Sequence, residues 1–275
     1  MDRAQRLEYL QAIGIDVWVP RPGTAAAALM PAPGAAPAHA TPADEAPAVT
    51  VSVDAAAAAA DFAADIAADT PAPESPASST PEPELEEQWE ALRAEVLGCT
   101  KCALHTTRTQ GVFGVGNRRA DWLVIGEAPG AEEDRQGEPF VGRAGQLLNA
   151  MLRAIGLQRE TVFIANVLKS RPPGNRDPKP DEVAACMPYL MRQIALLRPK
   201  LILAVGRIAA QNLLATDVSL ARLRGQVHTF GELNTPLIVT YHPAYLLRTP
   251  ADKRKAWEDL KFARTVFRRL ASQES

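Results

Sequence analysis

The chain is predicted to fold as an α/β domain, a central four-stranded parallel sheet flanked by helices, preceded by a disordered linker. Three observations carry this reading. From residue 87 onward, short apolar runs alternate with helix-period segments, the pattern of crossover units that lay parallel strands side by side. The runs are apolar almost throughout rather than alternating, as strands covered on both faces are. Before residue 87 the composition narrows to Ala, Pro, Ser, Thr and acid, which cannot bury enough apolar surface to offset the entropy of ordering.

Taken in order, residues 1–23 form a short amphipathic segment. Leu7, Leu10 and Ile13 share a helical face, and Ile15, Val17 and Val19 follow a period of two around Trp18. Residues 24–86 are the linker, and residues 87–275 are the folded domain. Its first helix is expected over Glu87–Leu97, with Trp89, Leu92, Val96 and Leu97 on one face. Strands are expected at Trp122–Ile125, Val162–Val167, Leu201–Val205 and Leu237–Tyr241, each bounded by turn residues. Helical patterns lie between and after them at Gly145–Ile155, Pro180–Leu197, Ile208–Leu214 and about Ala251–Leu270.

Composition excludes several classes. The net charge of -2 over 275 residues hides an asymmetry, because residues 41–87 carry Asp and Glu with no Lys or Arg. Basic residues are frequent from Arg93 onward, so the folded part can meet phosphate. Three cysteines make no disulfide framework. The first residues are charged throughout, unlike a signal peptide, and no apolar run of about 20 residues occurs. A cytoplasmic protein without a membrane span or nucleotide cofactor, monomeric apart from its partners, is expected.

Sites in parallel α/β sheets lie beyond the carboxyl ends of the strands, and here each expected strand ends in polar or glycine residues. The first runs into Gly126-Glu127-Ala128-Pro129-Gly130 and on to Asp134. The second ends at Asn166, followed by Lys169-Ser170-Arg171-Pro172-Pro173-Gly174-Asn175-Arg176. The third ends in Gly206-Arg207, and the fourth in Tyr241-His242-Pro243-Ala244-Tyr245-Leu246-Leu247-Arg248. Singly, Glu127 reads as a cap, Asn166 as an Asx turn, His242 as a turn histidine and Phe140 as core. Together they bring a carboxylate, a carboxamide and an imidazole to one rim, the set a small polar heterocycle requires.

These stretches, with Gly137-Glu-Pro-Phe-Val-Gly-Arg-Ala-Gly-Gln-Leu-Leu-Asn149 between them, resemble the family 4 (iron–sulfur) uracil-DNA glycosylases over residues ~89–270. The resemblance implies hydrolysis of the N-glycosidic bond of deoxyuridine in DNA, as in base excision repair, after the base is flipped into a pocket. It implies that Phe140 stacks on the uracil and that Asn166 reads its O4 and N3–H. His242 would donate to O2, where charge develops. Glu127 would act on the attacking water, with Asp134 sharing its electrostatic role. Backbone N–H groups around Ala128 and Gly130 would hold the base or a phosphate. Leu246 or Leu247 would wedge into the minor groove, with Arg248 and Arg171 on the DNA.

The family carries a 4Fe–4S cluster on four cysteines, and Cys99, Cys102 and Cys186 fall at three of those positions. The fourth is Ser170, whose hydroxyl is a far poorer iron ligand than thiolate. Three outcomes stay open: a cluster with Ser170 or solvent on one iron, three thiols without a cluster, or zinc on Cys99, Cys102, His105 and Cys186. The family's cluster is structural and stands away from the uracil pocket. Residues 7–23 also resemble the start of the psi subunit of the bacterial DNA polymerase III clamp loader, which binds the chi subunit; Trp18 would anchor such a contact. The alternative to an enzyme is therefore a non-catalytic, glycosylase-like subunit acting as a psi-type replisome interaction protein.

Overall fold

The structure, a computed structural model, describes residues 82–273. The segment at 1–23 and the linker up to residue 81 lie outside the described residues. Six strands form one sheet: β1 (Val115–Gly116), β2 (Trp122–Gly126), β3 (Phe163–Asn166), β4 (Leu201–Val205), β5 (His228–Phe230) and β6 (Thr235–Thr240). Their order is β1-β3-β2-β4-β6-β5. The inner four, β3-β2-β4-β6, are mutually parallel, as expected from the sequence. The edges β1 and β5 pair antiparallel with β3 and β6 and make the sheet mixed. Strands of two and three residues have no periodicity of their own; their neighbours supply the pairing.

Residues of the inner strands alternate between two apolar layers. One face gathers Leu123, Ile125, Phe163, Ala165, Ile202, Ala204, Leu237 and Val239. The other gathers Trp122, Val124, Ile164, Leu203, Val205 and Ile238. Because both faces are covered, the sequence shows continuous apolar runs rather than alternation. On the first face lie α1 (Glu82–Leu97), α4 (Pro180–Leu197) and α5 (Arg207–Leu213). On the second lie α3 (Arg143–Ala154) and α8 (Lys253–Gln273). Three short α-helices, α2 (Ala131–Gln136), α6 (Leu220–Leu223) and α7 (Pro243–Arg248), and four 3-10 turns lie between these elements.

Helix α1 begins five residues before its expected start. Leu85 packs on the same core as Trp89, Leu92 and Val96, and the carboxylate of Glu84 favours the positive helix start. Trp89 meets Phe163 at 5.1 Å and Phe113 at 5.9 Å between ring centroids, which locks α1 against β3. Helix α4 starts at Pro180, where a missing N–H costs nothing, and Glu182 accepts from the Lys179 N–H at 2.9 Å. No helix among the described residues is long and apolar enough to cross a membrane.

Candidate active site

The site grows from the register of two strands. Gly126 and Asn166 are the last parallel pair of β2 and β3. Bonding continues past them: Val167 N–H donates to Gly126 O and Leu168 N–H to Glu127 O, each at 3.0 Å. Asn166 is only 2% exposed, yet its side-chain Oδ1 has no hydrogen-bond partner. A buried unpaired carboxamide carries a penalty of about 1–3 kcal/mol, which a ligand able to pair with it removes. Residue 126 has to be glycine. A Cβ there would lie 2.5 Å from both Asn166 Oδ1 and Phe140 Cζ.

Phe140 reaches this point from the loop between α2 and α3. Its backbone is left-handed, with φ of 55°, an unfavourable conformation for an aromatic residue. Two contacts hold it. Arg159 donates to Phe140 O at 3.1 Å and to Pro139 O at 2.5 Å. At Gly145 a Cβ would fall 1.7 Å from the same Phe140 oxygen, so only glycine lets the loop close on α3. The Phe140 ring lies 5.5 Å from the His242 ring, tilted by 32°.

His242 is the N-cap of α7. Its Nδ1 accepts the Ala244 N–H at 3.1 Å, which leaves the imidazole proton on Nε2. Burial, aided by the Arg248 charge and opposed by Glu133, lowers its pKa to about 4. The ring is therefore neutral near pH 7 and a hydrogen-bond donor through Nε2. Glu127 is half-buried at the end of β2. Burial first, and the Asp177 carboxylate second, raise its pKa to about 7, against the opposing charge of Arg207. Asp177 and Arg207 are themselves paired at 2.7 Å. The sequence reading passed over this pair, because residues from the β3–α4 loop and the start of α5 meet only once the sheet is assembled.

Other expected positions are corrected. Asp134, 4% exposed, has its carboxylate engaged: it takes the Thr109 N–H at 2.9 and 3.0 Å and the Thr109 hydroxyl at 2.8 Å. It holds the 107–111 loop. Gly130 is no free anion donor, since its N–H goes to Glu133 Oε2 at 3.1 Å. Among positions 128–130, with Pro129 lacking an N–H, only Ala128 keeps an amide with no protein acceptor. Glu133, which the sequence reading did not single out, also accepts the Val141 and Gly142 N–H groups at 3.0 Å. It ties the Glu127 loop to the Phe140 loop. Leu246, at 1% exposure, belongs to the second core layer and is no wedge; Leu247 is partly buried and Arg248 exposed beside it. Arg171 bonds Asn175 Oδ1 at 2.8 Å, bracing its own loop.

Cys99, Cys102 and Cys186 are free thiols, and burial pushes that of Cys186 up. Ser170, 4% exposed, accepts a hydrogen bond from Arg108 at 2.8 Å, and the same guanidinium bonds Leu97 O and Cys99 O. Among the described residues, no group of three or more His, Cys, Asp or Glu is placed to hold a metal ion. Three thiols and a hydroxyl already engaged by a guanidinium do not fit a four-thiolate cluster. Cys102 and Ala128 pack on one small apolar cluster with Leu104, Leu168 and Cys186, a single residue from Glu127.

Residues 113–261 match the Uracil DNA glycosylase superfamily. The chain is 45% identical over 181 residues to a type-4 uracil-DNA glycosylase of Archaeoglobus fulgidus, covering 64% of this chain and 91% of that one. It is 42% identical over 188 residues to the type-4 enzyme of Thermotoga maritima, covering 67% and 97%. A type-5 uracil-DNA glycosylase of Pyrobaculum aerophilum is 30% identical over 109 residues, covering 34% and 48%. The rim of Glu127, Phe140, Asn166 and His242 falls inside the matched region, and the chain belongs to the uracil-DNA glycosylase superfamily, in its type-4 branch.

Proposed function

We propose that this chain is a uracil-DNA glycosylase that hydrolyses the N-glycosidic bond of deoxyuridine in DNA, in the cytoplasm. The observation that carries the reading is the buried, unpartnered carboxamide of Asn166 beside the Phe140 ring and the neutral His242. A carboxamide offers an acceptor and a donor on one edge. Uracil presents the complement, N3–H and O4, whereas cytosine at those positions presents an acceptor and a donor. With the carboxamide in this orientation, cytosine would leave both Asn166 groups unsatisfied, and sites of this type discriminate strongly.

Each remaining residue has a part in the cleavage. Phe140 offers its face to the extruded base, repaying part of the few kcal/mol lost in unstacking. As the bond breaks, electrons move onto uracil, and the Nε2–H of His242 donates to O2 where that charge grows. A neutral imidazole can donate without delivering a proton outright. The sugar becomes positive, and the Glu127 carboxylate faces that charge and accepts a proton from the attacking water. The cysteines take no part in bond cleavage. Residues 1–23, joined through the linker to the domain at 87–275, would serve as a chi-binding tether.

Purified protein with a uracil-containing oligonucleotide should yield an alkali-labile abasic site. The matched cytosine and thymine strands should stay intact. Absence of abasic product would overturn the reading.

A further inference from the structure

Lys169, three residues past the end of β3, is buried to 1% exposure, and nothing in the cleavage uses it. Its Nζ donates to the main-chain carbonyl of Asn166 at 2.9 Å and to Gln193 Oε1 at 2.6 Å, two bonds that the amine makes charged or neutral, burial having lowered its pKa to about 7. Gln193, equally buried on α4, passes its own Nε2–H to Phe113 O at 2.9 Å. The Lys169 carbonyl accepts the Val112 N–H at 2.8 Å. Three bonds thus link α4, the loop leading to β1 and the turn that carries Asn166, and a fourth closes that turn on the Asn166 carbonyl.

Stability alone does not call for a lysine here. A buried ammonium is costly to desolvate, and an apolar side chain of similar volume often serves a core as well or better. What an apolar residue cannot do is bond the Asn166 carbonyl. That carbonyl lies at the end of β3, one bond from the Cα that aims the carboxamide. Its peptide plane is thereby fixed from behind, while Gly126 and Phe140 confine the side chain from the front.

We propose that Lys169, seated by Gln193, is a positioning residue for uracil recognition, holding the Asn166 backbone so that its carboxamide meets the uracil edge. The proposal rests on the uracil reading of the pocket. It predicts that loosening the lysine weakens recognition of the base more than the chemical step.

Lys169→Met and Gln193→Leu separate this role from a merely structural one. The probe is free uracil, titrated calorimetrically into the protein, alongside kcat and KM on a uracil oligonucleotide. About tenfold weaker uracil binding and a matching rise in KM are expected, the scale of one misplaced hydrogen bond. The pH profile of turnover should be unchanged. Gln193→Glu keeps an acceptor for the Lys169 Nζ while giving up the donor to Phe113 O, and should bind uracil more tightly than Gln193→Leu. If Lys169→Met does not fold, Gln193→Leu carries the same readout. Variants that lose thermal stability while binding uracil like the parent overturn the proposal. A parent protein that neither binds uracil nor cleaves the oligonucleotide overturns the pocket reading itself, a distinguishable result.

Discussion

Glu127→Gln should make the protein inactive and, in alkaline buffer, more stable. The folded environment raises the Glu127 pKa from its ordinary 4.5 to about 7, chiefly by burial. The fold therefore favours the protonated acid, and ionising it in place is uphill. At ~1.36 kcal/mol per pKa unit the full rise corresponds to roughly 3 kcal/mol, and partial exposure reduces that to about 1–2 kcal/mol. The sign follows from a folded pKa above the unfolded one. The carboxyl adds no penalty below about pH 4.5, and the penalty grows as pH rises through 7. Glutamine, always neutral, escapes it. Urea denaturation at pH 5 and pH 8.5 should show the variant gaining about 1–2 kcal/mol on the parent only at the higher pH. Turnover of the parent enzyme should rise with pH up to about 7 and then level, because the carboxylate is the working form. His242, with its pKa near 4, adds no limb in that range. A stability difference equal at both pH values, or turnover flat from pH 5 to 8, would refute the assignment of Glu127 as a buried, functional base.

Three further perturbations follow from the same geometry. His242→Asn keeps an N-cap acceptor for the Ala244 N–H but not an imidazole donor, so the melting temperature should hold while turnover falls about 100- to 1,000-fold; retained turnover would remove His242 from the O2 position. Gly126→Ala drives a methyl into Asn166 and Phe140 and should cost about 1–3 kcal/mol in denaturant unfolding, with uracil cleavage reduced more than tenfold. An active, stable Gly126→Ala protein would mean the pocket is wider than these contacts. Ser170→Cys supplies a fourth thiol where Arg108 now bonds a hydroxyl, and anaerobically purified protein should gain iron and absorbance near 400 nm over the parent. A parent protein already holding a full four-iron complement would show that the guanidinium yields to the cluster.

Much of the site was legible because its residues sit at strand ends, and strands covered on both faces announce themselves as apolar runs. Glu127, Asn166 and His242 could each be placed just past such a run. Phe140 came from its motif, but the left-handed backbone that aims its ring depends on Arg159 and Gly145, which no local pattern links. The engagement of Asp134 could not be read locally, because an acidic residue beside a catalytic loop looks the same in sequence whether it is free or, as here, accepts three bonds from Thr109. Glu133, its neighbour, carries the tie between the two loops. Which of two adjacent carboxylates turns inward is a matter of helix phase, and α2 is only one and a half turns long.

The sequence by itself determined the long helices and the four parallel inner strands, the polar residues at their ends, and the substitution of Ser170 for a cysteine. These are local properties, set by composition and by periods of two and 3.6 residues. Tertiary structure decided the rest. Pairing of Gly126 with Asn166 makes a pocket wall that only glycine can form. Packing against α7 and its cap leaves the His242 imidazole neutral with its donor free, and burial at the end of β2 brings Glu127 into the range where it can accept a proton. Ionisation and direction depend on what surrounds a side chain from every side, and those neighbours are brought together only by the folded sheet.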